Sequence, residues 1–224
     1  MKKVSTDKAL IPRYMIAPII ITLLCNHLAY FSSRSITRNM IHYDLTIKAD
    51  AWIPFIPWTI VIYWGCYIYW AINYILACRQ EKQNAYRFFC ADVCSKLICL
   101  FFYLILPTTN IRPDIIGNSV FDQLMQLLYH VDAADNLFPS IHCSTSWFCF
   151  IAVRGNPKIP AWYKTVSFMV TVAICISTLT TKQHVMVDVA GGILLAEGAY
   201  YMIRKCCLDK FYGRWMNRIE KILE

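Results

Sequence analysis

The feature that most constrains this chain is a succession of apolar runs, most of them long enough to carry a helix across a bilayer. A spanning helix needs roughly 20 apolar residues. Runs near that length fall at about 14–31, 52–77, 88–106, 163–179 and 184–203, with a shorter one at 140–153. Backbone in lipid must satisfy its own hydrogen bonds, which leaves helices or closed barrels. Unbroken runs, rather than short alternating segments, select helices. The expected fold is therefore all-α, a bundle of six transmembrane helices in a single integral membrane domain over 1–224. Residues 1–13 form a basic cytoplasmic arm, 14–203 the bundle, and 204–224 a basic amphipathic tail resting on the membrane surface. Composition agrees: the chain is 58% apolar and only 16% charged, against about a quarter charged in soluble domains. The first run has no small-residue cleavage site and reads as a retained span, not a signal peptide.

The net charge is +8, which on a soluble chain would raise nucleic acid as a partner. Here the basic residues flank apolar runs, so they report topology and no nucleic-acid partner is expected. Sixteen of the 22 Lys and Arg lie in the arm, the 79–87 turn, the 154–164 turn and the tail, and five in the alternate set of connectors. The positive-inside rule then puts both termini in the cytoplasm. The expected setting is the plasma (inner) membrane, crossed several times, with Arg112, His142, Lys182 and His184 at the external face. The 11 cysteines show no CxxC pair and no cysteine–histidine metal spacing, so no metal and no cofactor is expected. Most read as small membrane-buried hydrophobes; Cys206 and Cys207, adjacent at a membrane end, are candidates for acylation.

Chemistry concentrates in Ser177-Thr-Leu-Thr-Thr-Lys182-Gln-His184-Val-Met-Val-Asp188. On a helix, His184 and Asp188 share one face within hydrogen-bonding reach. A carboxylate on one imidazole nitrogen fixes the tautomer and leaves the other free to attack or to carry a proton. A second histidine stands in Phe138-Pro139-Ser140-Ile-His142, and an Arg112-Pro113 pair precedes it. Two histidines, an aspartate, an arginine, a lysine and a serine converging on one membrane face suit phosphoryl transfer. Cations and donors hold the nonbridging oxygens, one histidine attacks phosphorus, and the other protonates the leaving alkoxide.

In order and spacing these residues resemble the type 2 phosphatidic acid phosphatase (PAP2) superfamily, which also contains vanadium haloperoxidases and sphingolipid synthases. Its signature is K-x6-R-P, then P-S-G-H, then S-R-x5-H-x3-D. Here Arg112-Pro113 matches the first motif, Pro139-Ser140-Ile-His142 the second, and Ser177, His184 and Asp188 the third. The resemblance covers about 50–200. The Ile-Pro-Phe-Ile-Pro stretch at 53–57 and Phe-Pro-Ser-Ile-His look most like the inositol phosphorylceramide synthase branch. The resemblance implies a helical bundle of the PAP2/haloperoxidase type. It further implies His184 as nucleophile through a phosphohistidine, Asp188 as its orienter, and His142 as general acid and then base. Arg112 and Ser140, with Ser177, would hold phosphate oxygens. Two family cations are replaced, the motif lysine by Ile105 and the motif arginine by Thr178. Lys182 is the candidate substitute, and a site with fewer cations favours a singly charged phosphodiester over a dianionic monoester.

Three functions follow as expectations. One is a lipid phosphatase acting on a lipid phosphate or diphosphate with water as acceptor. The alternative is a lipid phosphotransferase with an alcohol acceptor; the third is a non-enzymatic membrane protein. Lipid phosphate and membrane lipids are the expected partners. Four other features are expected to be structural. Asp92 and Lys96 form an internal ion pair near the inner face, too far away to serve the site. Residues 121–131 make a short surface helix. Gly191 and Gly192 allow close helix approach, and Glu197 is buried and pairs internally.

Overall fold

The computed structural model describes residues 9–223; the first eight residues of the expected arm lie outside them. Nine α-helices account for most of the described chain: α1 (Ile16–His27), α2 (Ser33–Thr37), α3 (Ile60–Cys78), α4 (Lys82–Ile105), α5 (Val120–Val131), α6 (Ile141–Arg154), α7 (Ala161–Thr180), α8 (Met186–Lys205) and α9 (Leu208–Leu223). The only sheet among the described residues is a two-residue parallel pair, β1 (Tyr43–Asp44) with β2 (Thr108–Thr109), in which Tyr43 faces Thr108.

Among the described residues, five helical rods are long and apolar enough to cross a membrane: 13–37, 57–78, 82–105, 161–180 and 186–205. α6 is not among them. Its 14 residues rise about 21 Å at 1.5 Å each, short of the roughly 30 Å hydrocarbon layer. It is instead the most enclosed helix, packed against α3, α4, α7 and α8, and it buries Phe148, Cys149, Ile151 and Val153.

The first rod runs further than its apolar stretch. α1 and α2 are joined by a five-residue π segment, Leu28–Ser32, so the polar residues expected to begin a connector stay helical to Thr37. The reason is back-bonding: Ser33 Oγ donates to the Ala29 carbonyl (2.5 Å) and Thr37 Oγ1 to that of Ser33 (3.0 Å). Hydroxyls satisfied in this way need no water. The second rod is shorter than its run. Residues 48–52 form a separate 3-10 turn, and helix begins only at Pro57, in a first turn that tolerates its missing N–H. α5 matches the expected surface helix. Ser119 and Asp122 form a capping box at its start, and Met125 and Leu128 pack on Ile60 and Tyr63 of α3.

The two ends of the bundle differ. At one end α4, α6, α8 and α9 close over an aromatic core that includes Phe88, Phe89, Phe148, Ile203, Tyr212 and Met216. There α9 is also tied by an Arg87–Asp209 ion pair of 2.9 Å, while Phe211 and Trp215 remain exposed. At the other end, polar connectors are laced together over the starts of α3, α6 and α8. Thr108 Oγ1 accepts from the Leu137 and Phe138 N–H groups, both at 2.8 Å. Ile56 N–H donates to the Thr180 carbonyl at 2.9 Å.

Asp92 and Lys96 pair at 3.2 Å, both buried. Tyr74 donates to Asp92 at 2.6 Å, and Lys96 Nζ to Thr145 Oγ1 at 2.5 Å. The expected internal pair is therefore present, buried in the bundle against the α6 residue one turn beyond His142. Glu197 pairs as expected, accepting from Arg154 (2.7 Å to Nη2) and from Trp147 (2.6 Å), yet it is half-exposed and not buried.

Candidate active site

α7 ends in a Schellman turn. Gln183 N–H donates to the Thr178 carbonyl (3.0 Å) and Lys182 N–H to that of Leu179 (3.1 Å). The turn places Lys182 at φ 54°, the left-handed position usually given to glycine. His184 follows at once, its own N–H also on the Thr178 carbonyl at 3.1 Å. One turn later Asp188 is the third residue of α8. Its Oδ2 accepts from Val185 N–H (3.0 Å) and from His184 Nδ1 (3.2 Å). In the neutral imidazole Nδ1 then carries the proton, donated to the carboxylate, and Nε2 is the free nitrogen. Burial works against a charge on His184, but the hydrogen bond and the negative charge of Asp188 outweigh it, so the histidine titrates above its ordinary value.

α8 lies hard against the start of α6. A Cβ on Gly192 would stand 2.5 Å from the Ser140 carbonyl oxygen, and one on Gly191 would meet the Phe138 ring at 2.4 Å. This close approach lets Ser140 N–H donate to the Asp188 carbonyl at 3.1 Å. Ser140 also caps α6, its hydroxyl accepting from Cys143 N–H at 3.2 Å. His142, two residues into α6, faces His184 with ring centroids 6.3 Å apart. Three side chains from one stripe of α3 pack around it. Tyr63 stacks on the imidazole at 4.7 Å, Trp70 lies at 5.3 Å, and Tyr67 meets its edge at 6.3 Å. Both histidines open on a cavity of about 440 Å³, which Asp132 and Gln183 also line.

Arg112, on the long connector, is tied to two residues that line this cavity and itself lines an adjoining one with His184 and Lys182. Nη1 donates to the Asp132 carbonyl (2.5 Å), Nη2 to Gln183 Oε1 (2.6 Å), and the guanidinium lies 4.7 Å from the Tyr129 ring. Arg112 Nε, Gln183 Nε2, His142 Nε2 and Asp188 Oδ1 are buried polar atoms with no hydrogen-bond partner. Each such atom costs about 1–3 kcal/mol. Three of the four can donate, and a bound anion is what such donors would satisfy.

The remaining site candidates are placed differently. Lys182 Nζ donates to the Ile53 carbonyl (2.5 Å) and the Asp50 carbonyl (3.3 Å), so its charge is spent on the 48–53 turn. Ser177 is fully buried with its hydroxyl on the Ile174 carbonyl at 2.7 Å; to meet a phosphate oxygen it must leave that bond.

Three contributors escaped the sequence reading. Gln183 holds Arg112. Asp50 accepts from Met186 N–H at 2.8 Å, capping the start of α8 from another connector. Asp132 accepts from Tyr63 at 3.2 Å and from Tyr30 of the π segment. Only Gln183 carried a signal, its place beside His184 between two spans.

Two facing imidazoles in a membrane-embedded helical bundle, one held by a carboxylate and sharing a second cavity with an arginine, form a site suited to phosphoryl transfer by positioned donors. A profile of the PAP2 superfamily matches residues 39–202, and the chain belongs to that superfamily. Its members are generally phosphoric ester hydrolases or phosphotransferases. No curated protein and no solved structure matches the chain significantly.

Proposed function

We propose that this protein is an integral membrane lipid phosphatase that works through a phosphohistidine on His184. The observation that carries the reading is the facing pair His142 and His184 on one cavity, with His184 Nδ1 held by Asp188. In the first step His184 Nε2 attacks phosphorus, the bond from phosphorus to the lipid oxygen breaks, and His142 gives that oxygen its proton. In the second, His142 takes a proton from water, which displaces His184 and releases phosphate. Charge building on the nonbridging oxygens meets Arg112, Gln183 and the N-terminal end of α6 behind Ser140. The protein's own donors do this stabilising.

A second reading, phosphotransfer to an alcohol as in the inositol phosphorylceramide synthase-like branch, is favoured by the cavity walls. Trp64, Tyr67 and Trp70 line the approach to His142, and an apolar approach admits an alcohol-bearing lipid as readily as water. The spent charge of Lys182 also favours a phosphodiester donor over a dianionic monoester. In the membrane, α6 together with the five long rods would make six crossings. Both termini would then be cytoplasmic, with the histidine end external at the plasma (inner) membrane.

Purified protein in nanodiscs, offered mono- and diester lipid phosphates with and without an alcohol acceptor, tests these readings. Free phosphate supports hydrolysis, and a new phosphodiester supports transfer. Clear preference for monoesters overturns the diester preference. Absence of both products from the wild-type protein overturns the enzymatic reading and leaves the non-enzymatic one.

A further inference from the structure

α1 and α3 both pack on α4 but have almost no contact with each other. The gap between them is a groove with α4 as its floor. Two cavities occupy it. The outer one, of about 440 Å³, holds His142 and His184; the inner one, of about 370 Å³, continues toward the other end of the bundle. Asn26 of α1 and Trp70 of α3 line both. Trp70 is fixed at this junction by a hydrogen bond from its Nε1 to Ser146 Oγ at 2.9 Å, with its ring 5.3 Å from His142. Beyond it the walls are apolar, with Ile19 and Leu23 on one side and Ala71, Ile75 and Cys78 on the other. At the floor, Lys96 has its ammonium engaged by Asp92 and Thr145. From Trp70 to Cys78 the groove runs about 12 Å along α3, at 1.5 Å per residue.

We propose that this groove is the seat of one hydrocarbon chain of the lipid substrate. With the phosphate between His142 and His184, the chain passes Asn26 and Trp70 and lies between α1 and α3, so the protein selects its substrate by chain length. The inference rests on the proposed lipid-phosphate chemistry, and it extends that chemistry by naming what holds the rest of the molecule. Continuity with the histidine cavity singles out the substrate's own chain over a bystander lipid. In the bilayer the chain's alternative surroundings are other lipid tails, so its preference for the groove comes from packing against the groove walls and not from removal of water.

The test is a homologous series of lipid phosphates, from short to long chains, turned over in nanodiscs by wild type, Ala71→Phe and Ile75→Trp. Ala71→Phe blocks the groove just past Trp70 and Ile75→Trp about one turn deeper. The expected result is that the dependence of rate on chain length seen in wild type is lost in Ala71→Phe, with the length optimum of Ile75→Trp falling between that variant and wild type. An equal dependence on chain length in all three folded proteins overturns the proposal. A second measurement needs no turnover. A lipid phosphate with a diazirine at the far end of its chain is photolysed on wild type and on His184→Ala. Label on the groove faces of α1 and α3, lost in Ala71→Phe, supports the groove even if no product is ever formed. Label spread over α7 and α8 and indifferent to Ala71→Phe overturns it.

Discussion

Asp92–Lys96 in α4 and His184–Asp188 at the start of α8 are the same pattern in sequence, an acid and a base four residues apart. Both are buried and both are paired at 3.2 Å. Their surroundings divide them. Around the first, Tyr74 and Thr145 supply further hydrogen bonds to the two charges. Each pair has one carboxylate oxygen, Asp92 Oδ1 or Asp188 Oδ1, without a hydrogen bond; around the second, however, His184 keeps Nε2 clear of Asp188, and His142 Nε2, Arg112 Nε and Gln183 Nε2 stand unsatisfied. Spacing alone therefore does not distinguish a structural pair from a reactive one. What distinguishes them is whether the neighbours complete the polar network or leave part of it open, because in a medium of low polarity an open donor is costly unless it binds something.

Replacing His184 by alanine breaks this contrast most severely. Turnover of lipid phosphate should fall by about 10⁴-fold or more; phosphate or phosphodiester production near the wild-type rate would put the chemistry elsewhere. Asp188→Asn should follow, with a loss of about 10³-fold, since a wrongly oriented imidazole forfeits most of a general-base or nucleophile effect. It should also change the pH dependence. In the proposed mechanism the neutral imidazole attacks, so wild-type activity should rise with pH through a His184 value lifted by Asp188. Without the carboxylate, burial is left to lower that value, and the acid limb of the pH–rate profile moves down. An acid limb that stays in place would show that another group titrates. The same shift governs stability. A histidine raised in the folded state stabilises the fold below its unfolded value, and that contribution fades as pH rises through the folded one.

Asp92→Asn tests the other member of the comparison. It strands the buried Lys96 charge and should cost about 3–5 kcal/mol, read as a lower unfolding temperature, with turnover per folded molecule little changed. If turnover falls as far as in Asp188→Asn, the two pairs are not different in kind. The smallest effect belongs to Lys182→Met. If its ammonium serves as a clasp on the Ile53 and Asp50 carbonyls, the change costs about 1–2 kcal/mol of stability and little in KM. A KM raised tenfold with stability intact would make Lys182 a phosphate ligand.

Much of this was open to reading along the chain. The apolar runs located the long rods because the bilayer sets a helix length. Asp188 lies four residues beyond His184, and a helix turns that interval into contact. The motif residues Arg112, His142 and His184 were found for the same local reason, that each sits in a short, recognisable stretch. Folding decided the partners between stretches. The helical residues 33–37 looked like a polar connector because nothing local shows that Asn136, about a hundred residues later, will donate to the Ser33 and Thr37 hydroxyls and enclose them. The lysine at position 182 looked free for phosphate, and a carbonyl more than 120 residues earlier claimed it. Asp50, Asp132 and the Tyr63–Trp70 stripe had no signal at all, since their roles exist only against α8, Arg112 and His142. A chain specifies its own turns through contacts a few residues apart. Which donors are left unsatisfied, and so able to hold a substrate, depends on contacts between distant residues, and those are set only when the helices pack.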